Sequence, residues 1–244
     1  MSTKLTIVSF FTKEEKMKIS YFGHAAFRFV TNQATLIIDP FLNNGLTGKK
    51  VDDLLDTEYI LLTHGHADHI GSAPEIADKT GATIVANAEI ATHFSSLGYK
   101  THSMHIGGKA HFKFGNVKMT PALHGSSIMI EGKLAEGGNP CGFLVMADGL
   151  KIYHAGDTGL SMEMHLLTDY DIDLAILPIG GNFTMDIEDA VKAVKIIKPK
   201  RVMPMHYDTF PVIQANPEYF KKQVELLGLG IEVVLLGTDQ SMEL

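Results

Sequence analysis

His64, His66, Asp68 and His69 fall within Leu61-Leu62-Thr63-His64-Gly65-His66-Ala67-Asp68-His69-Ile70-Gly71, so three imidazoles and a carboxylate occupy six consecutive positions. Neutral imidazole nitrogens and carboxylate oxygens are the donors that a borderline divalent cation such as zinc prefers, and without a cation they would need many hydrogen-bond partners. A polar, solvated turn is the alternative, but an HxHxDH run directly after the apolar Tyr59 to Leu62 is much rarer than a lone HxH. His124, Asp157 and His206 add three more donors, each at or just past the end of a predicted strand. A tetrahedral catalytic zinc takes three protein ligands and keeps one position open, so seven donors exceed the need of one ion. Two cations accommodate all seven: His64, His66 and His124 on the first, Asp68, His69 and His206 on the second, and Asp157 bridging. A metal pair about 3.5–4 Å apart can hold a shared hydroxide, because coordination lowers the pKa of water from near 16 to about 7. The chemistry implied is hydrolysis by that bridging hydroxide, with Asp68 orienting it and carrying a proton to the leaving group.

The elements that must carry these donors read as strands feeding loops at one edge of packed sheets. Two-period runs at Met17 to Phe22, Ala26 to Thr31 and Thr35 to Asp39 predict three strands, and Tyr59 to Leu62 predicts the strand that delivers the histidine cluster. Ser72 with Glu75 reads as a capping box and Pro74 suits a first helical turn, so the next helix is expected to begin just past His69. A short strand at Ile84 to Ala86 and a short helix at Glu89 to Ser96 follow. Phe112 to Phe114 turns at Gly115-Asn116 into Val117 to Ala122, which runs out at His124. Gly142 to Ala147 turns at Asp148-Gly149 into Leu150 to His154, ahead of Asp157. Between these hairpins, Gly125 to Pro140 has little periodicity and several glycines, and reads as a mobile loop over the site. Asp173 to Leu177 and Arg201 to Met205 are buried-type strands, the second ending in His206. Asp186 caps a helix with the stripe Ile187, Ala190, Val191, Val194 and Ile197, Asn216-Pro217 starts another to about Leu227, and Ile231 to Leu236 closes the fold.

Several groups carry two readings. Asp39, after Leu36-Ile37-Ile38, is either a turn-former or a partner that orients the histidines by hydrogen bonding. His24 either faces the metal site or caps a turn. Tyr207, beside His206, either packs or donates a hydrogen bond to an oxyanion, and it stands with Asp68 as a catalytic candidate. Gly180-Gly181-Asn182 offers backbone N–H groups to an anionic substituent. His93, His102, His105 and His111 lack tight ligand spacing and read as surface or packed residues, His154 and His165 as structural ones. Cys141 has no base pattern near it and reads as a buried or loop thiol, so the chemistry requires no serine or cysteine nucleophile.

A length of 244 residues with 45% hydrophobic and 20% charged residues fits one large soluble domain of two packed sheets. Residues 17–244 are assigned to it and 1–16 to an N-terminal extension. Leu5 to Phe11 faintly resembles a signal peptide, but it lacks a small-residue cleavage site and runs into Lys13, Glu14, Glu15 and Lys16. A net charge of −7 disfavours nucleic acid as a partner. The single cysteine excludes an internal disulfide and fits a reducing, cytoplasmic location. No run approaches the roughly 18 apolar residues needed to span a bilayer. The expected partner is a small-molecule substrate, with a homo-oligomer left open.

The order HGHADH, lone histidine, GDT, lone histidine resembles the metallo-β-lactamase superfamily. More closely, Tyr21-Phe22-Gly23-His24-Ala25-Ala26-Phe27, Ile38-Asp39-Pro40-Phe41, Pro121-Ala122-Leu123-His124-Gly125 and Met205-His206-Tyr207-Asp208-Thr209-Phe210-Pro211 resemble its small metal-dependent hydrolases, a group related to the L-ascorbate-6-phosphate lactonase branch. The resemblance runs from Met17 to the C-terminus. It implies an α/β fold, an αββα sandwich of two mixed β-sheets flanked by helices, and it puts His64, His66, Asp68, His69, His124, Asp157 and His206 at the superfamily's ligand positions. It also implies two divalent metal ions, Zn2+ first, with Mn2+, Fe2+ or Ni2+ as alternatives.

The expected activity is hydrolysis of a small ester, lactone or phosphodiester, although such a fold hosts several chemistries and does not choose the substrate. A metallo-ribonuclease or other phosphodiesterase acting on nucleic acid is one alternative, disfavoured by the absence of a long insertion or basic run. A non-catalytic metal-binding protein is another, disfavoured by Asp68 and Asp157, which a closed structural site would not need. A β-lactamase would be exported. The oxygen-reducing di-iron members resemble this pattern with a glutamate where His66 stands.

Overall fold

Side chains alternate across a strand, so a run that is apolar at every position must be covered on both faces. The computed structural model, which describes residues 16–244, shows how this chain does so. Its first half contains β1 (Lys18–Tyr21), β2 (Phe27–Val30), β3 (Thr35–Ile38), β4 (Tyr59–Leu61), α1 (Ala67–Ile70), α2 (Ala73–Thr80), β5 (Thr83–Asn87), α3 (Ala88–Ser96) and β6 (Thr101–Met104). Its second half contains β7 (Lys109–Phe112), β8 (Gly115–Pro121), β9 (Ser127–Ile130), β10 (Lys133–Glu136), β11 (Cys141–Ala147), β12 (Leu150–His154), β13 (Leu174–Pro178), α4 (Ile187–Ile197), β14 (Arg201–Met205), α5 (Pro217–Glu225), β15 (Glu232–Val233) and β16 (Ser241–Glu243).

Two seven-stranded mixed sheets result, ordered β16-β1-β2-β3-β4-β5-β6 and β15-β14-β13-β12-β11-β8-β7. Leu36, Ile38 and Leu61 enter the central core with Phe27, Phe29, Phe143 and Val145. Their neighbours Ile37, Ile60 and Leu62 enter a second core with Ile76 of α2 and Ile90 and Phe94 of α3. On the far side, Ala190, Val194, Phe220 and Val224 of α4 and α5 join the second sheet. This is the αββα sandwich expected, with helices on both outer faces.

Strand direction gathers the donors. β3 and β4 are parallel, as are β12, β13 and β14, and β8 runs with β12 because each is antiparallel to β11. Their C-terminal ends therefore deliver Asp39, His64, Asp157, His206 and His124 to one edge of the sandwich.

Four expectations change. Asp68 and His69 lie inside the one-turn helix α1, and the capping box at Ser72 does not form. The Ser72 backbone is not extended, and its N–H is donated 2.9 Å to the Pro40 carbonyl, which presses this segment onto the Asp39-Pro40 loop. Gly125 to Pro140 is not an irregular loop. It holds the hairpin of β9 and β10, whose turn residues Glu131 and Gly132 have φ of +49° and +75°, as a tight primed turn requires. The predicted closing strand shrinks to β15, and β16 instead crosses back to pair with β1. The hairpin turn expected at Gly115-Asn116 falls at Lys113-Phe114, because Gly115 already pairs with Phe112 at the start of β8, whereas Cys141 opens β11 as the buried thiol that is one of its two readings. The apolar stretch Leu5 to Phe11 and the extension it belongs to lie outside the described residues, except for exposed Lys16.

Candidate metal centre

After β4 the backbone passes so close to the β9 strand that a Cβ at Gly65 would sit 2.8 Å from the Ser127 carbonyl oxygen, which requires glycine there. His66 is the N-cap of α1 and its carbonyl accepts from His69 and Ile70 at 3.0 and 2.9 Å, so Asp68 and His69 occupy successive helical positions. At the opposite sheet, Gly180 is required beside His206, whose carbonyl oxygen would collide with any Cβ there. His24, Asp39 and His206 all have positive φ, at +55°, +46° and +56°. Such backbone costs about 1 kcal/mol or more per residue and persists only where surrounding contacts enforce it. Here the His206 N–H donates to the His24 carbonyl at 2.8 Å and Asp39 N–H to the Leu61 carbonyl at 3.0 Å.

All seven predicted donors converge. The ligand atoms of His64, His66 and His124 lie within 4.8 Å of one another, and so do those of His24, Asp68, His69 and His206. Asp157 reaches both groups: Oδ2 is 2.9 Å from His206 Nε2 and 3.5 Å from His124 Nε2, while Oδ1 is 3.3 Å from His69 Nε2. Although these atoms are close, His69 Nε2, Asp157 Oδ1 and both ring nitrogens of His206 are buried and make no hydrogen bond among the described residues. Each such orphan costs about 1–3 kcal/mol. Lone pairs that converge without pairing suit a bound cation, and the donor set of imidazoles and carboxylates is right for a zinc-like one. A cavity of about 180 Å³, lined by His66, Asp68, His124, Asp157, Phe183 and His206, opens onto them.

Electrostatics separates the roles. Burial pushes His64 well below the usual imidazole range and lowers His66 and His124, so these rings present neutral nitrogens. Burial opposes a charge on Asp157, but His69 and His206 outweigh it and hold the carboxyl well below its ordinary range. Burial likewise opposes a charge on His69, and Asp157 and Asp39 overcome it, lifting that imidazole well above its ordinary value. A cation at Nε2 would take the place of that proton.

Asp39 proves to be an orienting partner. Its carboxylate accepts from His69 Nδ1 at 2.8 Å, from the Thr63 hydroxyl at 2.6 Å and from the Thr63 N–H at 2.8 Å. Because the Thr63 hydroxyl gives its proton to Asp39, it accepts from His64 Nδ1 at 3.0 Å. Both histidines thus carry a proton on Nδ1 and turn Nε2 into the site. Asp39→Asn is expected to weaken metal affinity about 10–100-fold, read by competition with a chelating dye. Affinity equal to wild type would contradict this orienting role.

His24 was another residue that sequence reasoning left unresolved, since a turn histidine shows no spacing to other donors. It is buried, with a pKa lowered to about 4 chiefly by burial, and its ring lies tilted against that of His206 at 4.0 Å between centroids. Its Nε2 faces Asp68 Oδ2 at 3.2 Å and its Nδ1 faces the Thr209 hydroxyl at 2.9 Å. A carboxylate only accepts, so Nε2 holds the proton and Nδ1 accepts from Thr209. Burial raises Asp68, but the hydrogen bond from His24 and the charge of His69 outweigh it, so Asp68 is kept ionised.

Other candidates lie apart. Tyr207 packs half-buried on the central core and is not in the cavity wall. The Gly181 N–H is already donated to the Met185 carbonyl at 3.0 Å. His154 is structural, bonding the Ala25 carbonyl at 3.0 Å. Burial raises the Cys141 thiol well above its ordinary pKa, and its sulfur faces the Thr63 carbonyl at 3.1 Å, so it is no nucleophile.

A sandwich with donors converging from both sheets at one edge defines a metallo-hydrolase scaffold. The chain belongs to the beta-lactamase superfamily, whose domain it matches over residues 18–206. Within that superfamily it is 52% identical over 209 residues to a UPF0173 metal-dependent hydrolase of Alkaliphilus metalliredigens, covering 86% of this chain and 93% of the relative. It is 44% identical over 229 residues to a counterpart from Methanopyrus kandleri, covering 93% and 100%. A solved metallo hydrolase from the archaeon Ignicoccus hospitalis superposes with a TM-score of 0.87 at 37% identity, covering 94% of this chain and 99% of that one. These likenesses place the protein among the metal-dependent hydrolases. No helix among the described residues is long and apolar enough to cross a membrane.

Proposed function

We propose that the protein hydrolyses a small ester, lactone or phosphodiester at a dinuclear centre, with His64, His66 and His124 on one divalent cation, Asp68, His69 and His206 on the other, and Asp157 shared. The observation that carries this reading is the position of Asp157, within 3.5 Å of His124 from the first trio and closer still to His69 and His206 from the second. Bound there, two cations of the zinc type would acidify water to a pKa of about 7 and polarise the attacked oxygen.

The chain's own groups do the rest. Asp39 and Thr63 fix the tautomers of His64 and His69, so both Nε2 atoms reach the site without rearrangement. His24 pins Asp68 Oδ2, which fixes this partly exposed carboxylate and leaves its other oxygen to be shared between the second cation and the attacking water. Because Asp68 is held ionised, it is first an acceptor that aligns the water. It carries the displaced proton only transiently, to the leaving oxygen as that oxygen's bond to the attacked carbon or phosphorus breaks.

A panel of lactones, thioesters and phosphodiesters tests the reading, using protein loaded with zinc, manganese, iron or nickel. At least one class should be turned over about 10³-fold faster by loaded protein than by stripped protein, with recovery on reloading. A fully loaded enzyme inert toward every class would overturn it.

A further inference from the structure

Beside the centre lies a wider chamber of about 490 Å³ that shares His66 and His124 with it. Its far wall is the β9–β10 hairpin, which is tied to the histidine loop: the Ser126 hydroxyl accepts from the Gly65 N–H at 3.2 Å and donates to the Gly137 carbonyl at 2.9 Å. Asn87 Nδ2 donates to the carbonyls of Gly137 and Asn139 at 2.7 and 2.9 Å, and Ile128 is buried beneath. The wall is therefore held at both its base and its exit, and its chemistry is a fixed property of the site.

That chemistry is one-sided. Neither the chamber nor the cavity over the donors has a lysine or arginine in its lining, and the one charged group the hairpin contributes is the exposed carboxylate of Glu136. Lys133 pairs with Ile130 beside the turn and does not line the chamber. Arg28 and Arg201 are engaged by Asp56 and Glu232. Leu134 in the chamber and Phe183 in the cavity add apolar surface at the mouth, 71% and 55% exposed. An anionic group held by protein is ordinarily met by Arg, Lys or a helix N-terminus. Asp39, Asp68 and Asp157 would offset most of the charge of two bound cations, and Glu136, the carboxylate of the chamber lining itself, with Glu89 behind Gly138 of the same wall, makes the field felt by a substituent away from the reacting bond negative.

Resting on the hydrolytic reading above, we infer that the substrate is a neutral or cationic carboxylic ester or lactone with an apolar body, and that Glu136 excludes substrates bearing an anionic substituent outside the scissile bond. Sugar-phosphate lactones and nucleic acid fall on the excluded side.

Three esters test this, identical except for a remote trimethylammonium, neutral or carboxylate group. For the metal-loaded enzyme, kcat/KM should favour the cationic over the anionic ester by about 3- to 10-fold, the range an exposed charge supports. Glu136→Gln should level that ratio, and Glu136→Lys should reverse it, a total shift of about 10- to 100-fold, in variants that retain wild-type metal content. Calorimetric binding of the three uncleavable amides gives a second readout independent of turnover. If no ester is cleaved while the amides still rank by charge, the hydrolytic reading fails and the charge preference stands. Equal or anion-favouring values, absent amide binding, or a ratio unmoved by Glu136→Lys would overturn the inference.

Discussion

Asp157→Ala is expected to lower kcat by about 10³-fold or more and to reduce bound metal from two equivalents to one or fewer. The carboxylate is buried and sits between His124 on one side and His69 and His206 on the other. Removing it deletes the carboxylate that reaches both trios and leaves His124 and His206 without the counter-charge beside them. Loss of electrostatic stabilisation at a reacting centre costs on the order of 10²–10³-fold even for a single donor, and loss of a cation costs more. Asp157→Asn keeps the shape and removes the charge, so a similar loss would assign the effect to charge. Elemental analysis with steady-state kinetics on one cleaved substrate reads both quantities. Full activity and two equivalents in the alanine variant would reject the shared role.

Stripping the metals should also destabilise the fold. Without cations, His69 Nε2, His206 Nδ1 and Nε2 and Asp157 Oδ1 are buried and unpaired among the described residues. A ligand present at about a thousand times its Kd contributes roughly 4 kcal/mol, so two such sites contribute on the order of 8 kcal/mol. For a domain of this size 1 kcal/mol corresponds to about 2–4 °C, which predicts a fall in Tm of about 15–30 °C after chelation, restored on reloading. Differential scanning calorimetry before and after treatment measures it. A change under about 3 °C would mean that the folded state does not depend on the ions.

How much of this was legible beforehand follows from what each feature depends on. The donors announced themselves by residue type at strand ends, and the fold gathers them in overlapping clusters: His64 with His66 and His124, His24 with Asp68, His69 and His206, and His64 and His69 with Asp157. His24 could not be resolved from its neighbours, because its position depends on the β1–β2 turn meeting the end of β14, a contact between residues 24 and 206. Asp39 was open for the same reason: its partners Thr63 and His69 come from another strand. The β9–β10 hairpin escaped because its turn is Glu131-Gly132, not the usual Asn-Gly or Asp-Gly, and because Ile128 is its one fully covered apolar side chain. β16 was hidden for a related reason, being three mostly exposed residues whose pairing depends on β1 rather than on any pattern of their own. The Ser72 capping box failed where tertiary packing against Pro40 overrode a local signal.

The most direct test is the location of the ions. Anomalous diffraction at the metal edge from crystals of loaded protein should show two peaks about 3.5–4 Å apart. One should lie among His64, His66 and His124, the other among Asp68, His69 and His206, with Asp157 between them. A single peak, or two peaks with Asp157 touching neither, would contradict the dinuclear centre.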